Sequence, residues 1–132
     1  MKLEKRSTKS LKELAWKLCS EYIRRVEQGI CFTCGKQEGE PLLSWKYSQA
    51  GHFIHGHNKP TFFLRNNIHS QCPRCNTYLS GNLRVYTLKM IDKYGRKLVN
   101  DLDKESKREK IFNRAELIQI ITNYQKLLDK LN

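Results

Sequence analysis

Residues 66–76, NNIHSQCPRCN, place a Cys-x-x-Cys pair directly after a short segment that carries two asparagines and a histidine. A second pair with the same spacing, CFTC, lies at residues 31–34. Two thiolates separated by two residues can bind one ion from a tight turn, and two such turns complete a tetrahedral four-thiolate site. We predict that the cysteines of these pairs bind one structural zinc ion (Zn²⁺): Cys31, Cys34, Cys72 and Cys75.

The insert between the two pairs is longer than in a plain zinc ribbon, where about 15–20 residues separate them. Here 37 residues lie between Cys34 and Cys72, and they include all four histidines of the chain. In a reducing cytosol this pattern favours zinc over disulfides, whereas a thioredoxin-like site would need a single pair in a βαβ unit. We expect the zinc to contribute free energy of folding to an otherwise small core.

The composition favours a polyanionic partner. The 132 residues include 25 Lys and Arg against 13 Asp and Glu, a formal net charge of +12, and 39% of residues are hydrophobic. The excess is concentrated in residues 36–100, which hold ten basic and three acidic side chains. Such a charge opposes a compact state unless an anion usually lies against it, and nucleic acid is the commonest such partner.

Hydropathy argues against a membrane protein and a secreted one. The longest uncharged, apolar-leaning runs, such as residues 117–125, are far shorter than the roughly 20 residues of a membrane span. The basic N-terminal residues are not followed by the apolar segment of a signal peptide. We therefore expect a cytoplasmic protein with no membrane partner.

Three segments show the apolar spacing of helices. Ser10 opens a sequence of capping-box form, and the apolar residues after it continue up to Gly29. A second helix is expected from Leu83 until Gly95 ends it, and Asn113 is expected to cap a last one. The apolar side of the last helix suits packing within the domain and pairing across a homodimer equally well.

These elements divide the chain into three parts. Residues 1–29 are expected to form an N-terminal helix, residues 30–95 a central unit of short strands and loops around the zinc site, and residues 96–132 two C-terminal helices for packing or dimerisation. The predicted fold class is a small, mainly helical α+β domain with low strand content.

The central segment resembles known phage proteins. It carries Ala-Gly-His-Phe at residues 50–53, Asn-x-His-x-Gln-Cys-x-x-Cys-Asn at residues 67–76 and Ser-Gly-Asn at residues 80–82. With the first cysteine pair, these motifs resemble the NinG (Rap) recombination proteins of lambda-like phages over about residues 31–95. The order of motifs is also similar to the ββα-metal (HNH) nuclease core and to phage endonuclease VII. The resemblance implies a zinc-stabilised ββα-metal core in a phage- or prophage-encoded protein of a bacterial host.

The resemblance also implies roles for three residues in phosphodiester hydrolysis. His52 matches the general base, and with a reference pKa near 6.5 it would be largely neutral at working pH. Asn67 matches the central asparagine that orients the loop and the base. Asn76 matches the helix residue that binds the catalytic divalent ion, and its amide oxygen suits magnesium or manganese (Mg²⁺ or Mn²⁺).

The sequence departs from the HNH pattern at Gly51. Many of these nucleases carry Asp or His immediately before the base histidine as a second ion ligand. His69, two residues beyond Asn67, is the best replacement, and a structural role for His69 beside the zinc site is an equal alternative. If His69 is not a ligand, either His52 binds the ion directly or activity is lost.

Four basic residues are expected to contact DNA phosphates: Lys59, Arg65, Arg74 and Arg84. Phosphate contacts position a duplex without reading its sequence, and no recognition helix is evident, so binding directed by DNA shape is favoured. Because NinG-like proteins act on branched recombination intermediates, the resemblance implies Holliday junctions or D-loops as the partner. A symmetric homodimer would suit paired incisions in a junction.

The sequence therefore favours an HNH-type, Holliday junction resolvase-like endonuclease, and two other functions compete with it. A non-catalytic, zinc-stabilised DNA-binding accessory protein would explain Gly51 and would cut nothing. A zinc-stabilised protein-interaction module would have negligible affinity for DNA. The asparagines at 67 and 76 in register with His52 favour the nuclease, because a pure binding module has no reason to carry them.

Overall fold

Helices make up most of the regular structure of residues 2–132, the part of the chain that the computed structural model describes. The helices are α1 (Thr8–Val26), α2 (Leu83–Tyr94), α3 (Arg96–Ser106) and α4 (Arg114–Asp129), and the strands are β1 (Gln49–His52) and β2 (Ile68–Gln71). Shorter helical turns lie at Leu3–Lys5, Ser44–Tyr47, Arg65–Asn67 and Arg74–Tyr78. The α+β class with low strand content is confirmed. None of the described helices has the length and apolarity to cross a membrane.

Helix α1 is capped by Ser7 and not by Ser10. The Ser7 hydroxyl accepts a hydrogen bond from the backbone N–H of Ser10 at 3.1 Å, which satisfies one of the unpaired N–H groups of the first turn. The helix ends at Val26, so the expected element of residues 1–29 is shorter at both ends. One face of α1 is fully buried: Leu11, Ala15, Cys19 and Ile23.

Helix α4 packs against α1 of the same chain. Its first turn forms the expected cap, because the Asn113 side chain accepts from the Glu116 N–H at 2.9 Å while the Glu116 carboxylate accepts from the Asn113 N–H at 3.1 Å. Three buried residues of α4 lie in the same core as the buried face of α1, namely Leu117, Ile121 and Tyr124, and Leu128 is buried as well. The apolar side of this helix was expected to pack within the domain or to pair across a homodimer. It packs within the chain, and the homodimer stays a prediction.

The two strands form an antiparallel pair that positions the residues of the site. Gly51 lies opposite His69, and His52 lies opposite Ile68. Because successive side chains of a strand point to opposite faces, the position of Gly51 shares one face with His69 and Gln71. His52 points to the other face, toward α1.

Gly95 ends α2 as expected, with a φ of +87°, and α3 begins at the next residue. Tyr86 and Met90 of α2 form a second buried cluster with Leu102 of α3. This cluster lies next to the sheet, because the Tyr86 hydroxyl donates to the Gly51 carbonyl at 2.7 Å.

Candidate functional site

The four cysteines of the two pairs come together at one point. Their sulfur atoms all lie within 4.8 Å of one another, and the Sγ atoms of Cys34 and Cys72 are 3.7 Å apart. A tetrahedral zinc site with Zn–S bonds of about 2.3 Å requires neighbouring sulfurs about 3.8 Å apart. The four-thiolate set thus fits a structural metal such as zinc.

Neighbouring groups support a thiolate at one cysteine of this cluster, Cys31, whereas burial raises the pKa of Cys34 and Cys72. Burial raises the pKa of the Cys31 thiol, but hydrogen bonds from Thr33 and from backbone N–H groups outweigh burial and lower that pKa to about 6. The Asn82 amide donates to the Cys75 sulfur at 3.7 Å from a left-handed backbone conformation with a φ of +52°. The Ser-Gly-Asn segment therefore contributes a hydrogen bond to the outer shell of the metal site.

His52 has one ring nitrogen engaged and one available. Its Nε2 lies 2.8 Å from the Phe62 carbonyl, and since a carbonyl only accepts, Nε2 carries the proton and Nδ1 the lone pair. The ring stacks between Trp16 and Phe62, with centroid distances of 4.8 and 4.7 Å. Burial lowers the pKa of His52, as do the nearby His55 and His57, against the opposing effect of the Phe62 hydrogen bond. The ring is therefore neutral at pH 7 and can take a proton at Nδ1.

Asn67 ties together the loop that follows His52. Its side chain is fully buried, accepts from the Ile54 N–H at 2.9 Å and donates to the carbonyls of Ile54 and Thr61 at 3.0 and 3.1 Å. These bonds join the two ends of the loop at residues 54–61. Because Phe62 follows Thr61 directly, Asn67 also fixes the carbonyl that orients His52.

Asn76 lies in the turn Arg74–Tyr78, against the face of the sheet to which Gly51 and Gln71 belong. Its Nδ2 donates to the Gln49 Oε1 at 2.8 Å, and the Thr77 hydroxyl donates to the same oxygen at 3.0 Å. A Cβ atom built on Gly51 would lie 2.8 Å from the Asn76 Oδ1. The amide oxygen of Asn76 is thus directed at the backbone of β1.

His55 lies near His52 and also near Gly81. The ring centroids of His52 and His55 are 6.5 Å apart. A Cβ on Gly81 would lie 3.3 Å from the His55 Nε2, and the Gly81 carbonyl accepts from Gln71 at 2.9 Å. His55 is therefore close both to His52 and to Gly81, whereas Asn76 lies on the face of the sheet opposite to His52.

Both ring nitrogens of His69 are used inside the chain. Its Nδ1 donates to the Glu27 carboxylate at 2.7 Å, and its Nε2 accepts from the Tyr94 hydroxyl at 3.0 Å. The ring is 1% exposed and stacks on Phe32 at a centroid distance of 4.0 Å. No lone pair remains for a divalent ion, so the expected ligand role of His69 gives way to the structural alternative.

Comparison with known proteins places the chain in a family. A family model described as "Bacteriophage Lambda NinG protein" matches residues 1–132. The chain belongs to the NinG family. Protein ninG of Salmonella phage P22 is 28% identical over 128 residues, which cover 92% of this chain and 63% of that protein. Protein ninG of Escherichia phage lambda is 27% identical over 128 residues, with 92% and 62% covered.

This NinG-family chain thus spans less than two thirds of the length of these curated relatives. No solved structure matches it.

Two of the four basic residues predicted to contact DNA are exposed, and two are held by the chain. Arg74 and Arg84 are exposed and take part in no ion pair among residues 2–132. The Lys59 ammonium donates to the Ser106 carbonyl at 2.5 Å. The Arg65 guanidinium pairs with Glu27 at 2.8 Å, so it supports the fold of this NinG-family chain.

Sequence reasoning missed Glu27, Trp16 and Gln71. Glu27 lies 42 residues before His69, and Trp16 belongs to a helix that looks purely structural in the sequence. Gln71 stands out in the sequence only as one position of the motif at residues 67–76. The one sign of Gln71 in the sequence is Gly51, because a glycine leaves room beside its backbone for a neighbouring side chain.

Proposed function

We propose that this NinG-family chain is a metal-dependent DNA endonuclease with a ββα-metal core, related in pattern to HNH nucleases and phage endonuclease VII. The arrangement of His52 supports it most directly: a neutral ring, oriented by the Phe62 carbonyl, with its lone pair at Nδ1. The order of β1, β2 and the turn Arg74–Tyr78 agrees with the strand–strand–helix order of such cores.

In the proposed reaction His52 takes a proton at Nδ1 from the attacking water. The Phe62 carbonyl accepts from Nε2–H before and after this transfer, so it keeps the ring oriented and stabilises the imidazolium that forms. Asn67 is a positioning residue, because it holds the loop that presents this carbonyl.

Asn76 is the residue that would hold the catalytic ion. Its amide oxygen is a hard donor of the kind that Mg²⁺ and Mn²⁺ prefer. When bound, the ion would supply positive charge at the scissile phosphate and the leaving oxygen.

The proposed substrate is branched DNA of phage recombination, such as a Holliday junction or D-loop, in the cytoplasm of the bacterial host. Support comes from the charge of +12 and from the exposed Arg74 and Arg84, which suit contacts to phosphates. A homodimer would provide the two active sites that paired incisions need.

A second candidate function is a DNA-binding accessory protein that does not cut. One observation favours it: among residues 2–132 the four cysteines are the single group of three or more His, Cys, Asp and Glu side chains that could hold a metal. A nuclease built on these residues has no carboxylate at its ion site.

Cleavage of end-labelled DNA separates the two functions. Four-way junction and linear duplex are incubated with zinc-loaded protein in Mg²⁺, in Mn²⁺ or without added divalent ion. We expect ion-dependent cutting of the junction that His52→Ala reduces about 10²-fold or more without loss of junction binding. The control Gln125→Ala changes an exposed residue of α4, away from His52, and should cut like wild type.

Asn67→Ala should also reduce cutting, whereas Asn66→Ala, which alters the neighbouring amide, should not. Tight junction binding by wild type with no cutting in either metal would establish the accessory function instead.

A further inference from the structure

The space beside Gly51 is filled by two amide oxygens. A Cβ built on Gly51 would overlap the Oε1 atom of Gln71 and would lie 2.8 Å from the Oδ1 atom of Asn76. Both oxygens therefore lie close to one point, at the position where a side chain of residue 51 would begin. A side chain at residue 51 would therefore require the Gln71 amide to move.

The amide group of Gln71 has a defined orientation. Its Nε2 donates to the Gly81 carbonyl at 2.9 Å and to the Thr33 hydroxyl at 3.1 Å. Because the carbonyl can only accept, the NH2 group must lie on that side and Oε1 must face Gly51. Gln71 is fully buried, and its Oε1 has no hydrogen-bond partner among the described residues. A buried acceptor without a donor is costly and calls for a missing water or ion.

Asn76 directs its oxygen at the same place. Its Nδ2 is held by the Gln49 Oε1 at 2.8 Å, which leaves Oδ1 on the side of Gly51 and Gln71. Two amide oxygens with negative partial charge therefore lie within 2.8 Å of one point, and their like charges repel each other. A cation between them would turn this repulsion into coordination.

We propose that Gln71 and Asn76 together form a divalent-cation site, in which the Gln71 oxygen replaces the ligand that residue 51 lacks. Two neutral oxygens and retained waters suit Mg²⁺ or Mn²⁺, which keep several waters when bound. The site carries no negative charge of its own, so its affinity is low in the free protein and rises when DNA phosphates complete it. Its purpose rests on the proposed nuclease function, but its existence can be tested without DNA.

The cysteine cluster supports this site mechanically. The Thr33 hydroxyl that accepts from Gln71 lies 3.2 Å from the Cys31 sulfur. The metal-binding turn and the Gln71 amide are thus linked through one side chain, so an intact four-thiolate site keeps the Gln71 oxygen in place.

The test measures Mn²⁺ binding to zinc-loaded protein without DNA, by the electron paramagnetic resonance signal of free Mn²⁺. We expect one Mn²⁺ per chain, and about tenfold or more weaker binding by Gln71→Leu and by Asn76→Ala. Gln71→Glu keeps the shape, adds a charge and should bind Mn²⁺ about tenfold or more tightly. The control Gln119→Leu alters an exposed amide of α4 and should bind like wild type.

Absence of Mn²⁺ binding by wild type and Gln71→Glu would overturn the proposal. The Asn76 amide would then be reversed and would donate to Gln71 as a structural hydrogen bond. Unchanged binding by both Gln71→Leu and Asn76→Ala would equally overturn it. If the first two results hold but the chain cuts no DNA, the ion site stands and the nuclease function fails. If the chain cuts DNA while Gln71→Leu binds Mn²⁺ normally, the nuclease function stands and the proposed ion site fails.

A reciprocal exchange tests whether Gln71 occupies the position of the missing ligand. Gly51→Asp alone should lower the melting temperature, since its Cβ collides with Gln71. Adding Gln71→Ala should recover the melting temperature and bind Mn²⁺ more tightly than Gln71→Ala alone. A double variant that binds no better than Gln71→Ala would show that the ion lies elsewhere.

Discussion

At the scale of single residues, His52 obtains its properties from neighbours in two separate segments. Trp16 comes from α1, Phe62 ends the loop that Asn67 holds, and His55 and His57 belong to that loop. Burial between two aromatic rings disfavours the charged imidazolium, while the carbonyl selects the tautomer. Neither effect can be predicted from the histidine motif alone, because both depend on neighbours that only the fold brings to His52.

The first prediction concerns the pKa of His52. Followed by proton NMR, its ring should titrate below the ordinary value of 6.5 because burial lowers the pKa. Trp16→Leu uncovers one face of the ring and should raise that pKa, whereas Trp45→Leu, at the other tryptophan, should leave it unchanged. Since the base must be neutral, any cleavage should be lost only as pH falls through this lowered pKa. A midpoint at or above 6.5 in wild type would contradict the assignment.

Glu27 holds three groups in or next to strand β2 through its carboxylate. Its carboxylate accepts from His69, from the Ser70 N–H at 2.8 Å and from Arg65 at 2.8 Å. Burial alone would raise the pKa of Glu27, but these three partners outweigh burial and lower it below its usual value of 4.5. A carboxylate with a lowered pKa stabilises the fold fully above the unfolded pKa and loses that contribution as pH falls through the folded pKa.

The second prediction follows from that sign. Glu27→Gln should lower the free energy of unfolding at pH 7 by about 1.5–3 kcal/mol, the range for hydrogen bonds to charged groups. The difference between variant and wild type should shrink as pH falls below 4.5, where wild type loses the same interactions. Urea unfolding of both proteins at each pH measures this difference. Glu13→Gln changes an exposed carboxylate of α1 and serves as the control; a constant difference across the pH range would count against the argument.

At the scale of elements, the two cysteine pairs matter more than any helix of the central unit. They join segments separated by 37 residues, between which regular hydrogen bonding is limited to two four-residue strands and two short helical turns. Zinc binding to four-thiolate or similar sites is worth on the order of 10 kcal/mol, comparable to the whole stability of a small domain.

The third prediction is that zinc holds the central unit together. The purified chain should contain one zinc, and Cys75→Ser should lose it and unfold the central unit, seen as collapse of its NMR dispersion. Cys19→Ala removes the one cysteine outside the cluster and should keep one zinc per chain. A Cys75→Ser protein that retains the wild-type melting temperature would show that the metal is not structural.

Local signals in the sequence located some helix ends and misplaced others. Asn113 and Gly95 were predicted correctly because each is the one suitable cap in its neighbourhood. The prediction that Ser10 caps α1 was wrong because Ser7, three residues earlier, also carries a hydroxyl and is the residue that caps the helix. The partners of His69 could not be predicted, since Glu27 and Tyr94 lie 42 and 25 residues away and meet it only through the packing of α1 and α2.

At the scale of the whole molecule, the net charge of +12 separates into side chains that hold the fold and side chains that face solvent. Arg65 belongs to the first group through Glu27, and Arg74 and Arg84 to the second. Sequence alone could not make this division, because all three look alike in a basic segment. Gln71 was missed for a related reason, since its relation to Gly51 depends on strand register and not on spacing.

The fourth prediction applies this division to DNA binding. Arg74→Ala and Arg84→Ala should each reduce the slope of log K against log salt by about 1, because each removes one phosphate contact. Arg65→Ala should lower the melting temperature and leave that slope unchanged. Fluorescence anisotropy with a labelled junction at several salt concentrations measures the slopes. If Arg65→Ala were the only variant to reduce the slope, Arg65 would be the phosphate contact and Arg74 and Arg84 would not.

The packing of α1 against α4 has a consequence for synthesis on the ribosome. The 87 residues between Val26 and Arg114 must be made before α4 can cover the apolar face of α1. At about 5–20 residues per second this takes several seconds, during which the cysteine cluster and the sheet can already form. A nascent chain that stalls before α4 would thus carry a metal-bound central unit beside an uncovered, aggregation-prone helix. Once α4 is translated it can close this core, so the packing of α1 depends on an element that is made 87 residues later.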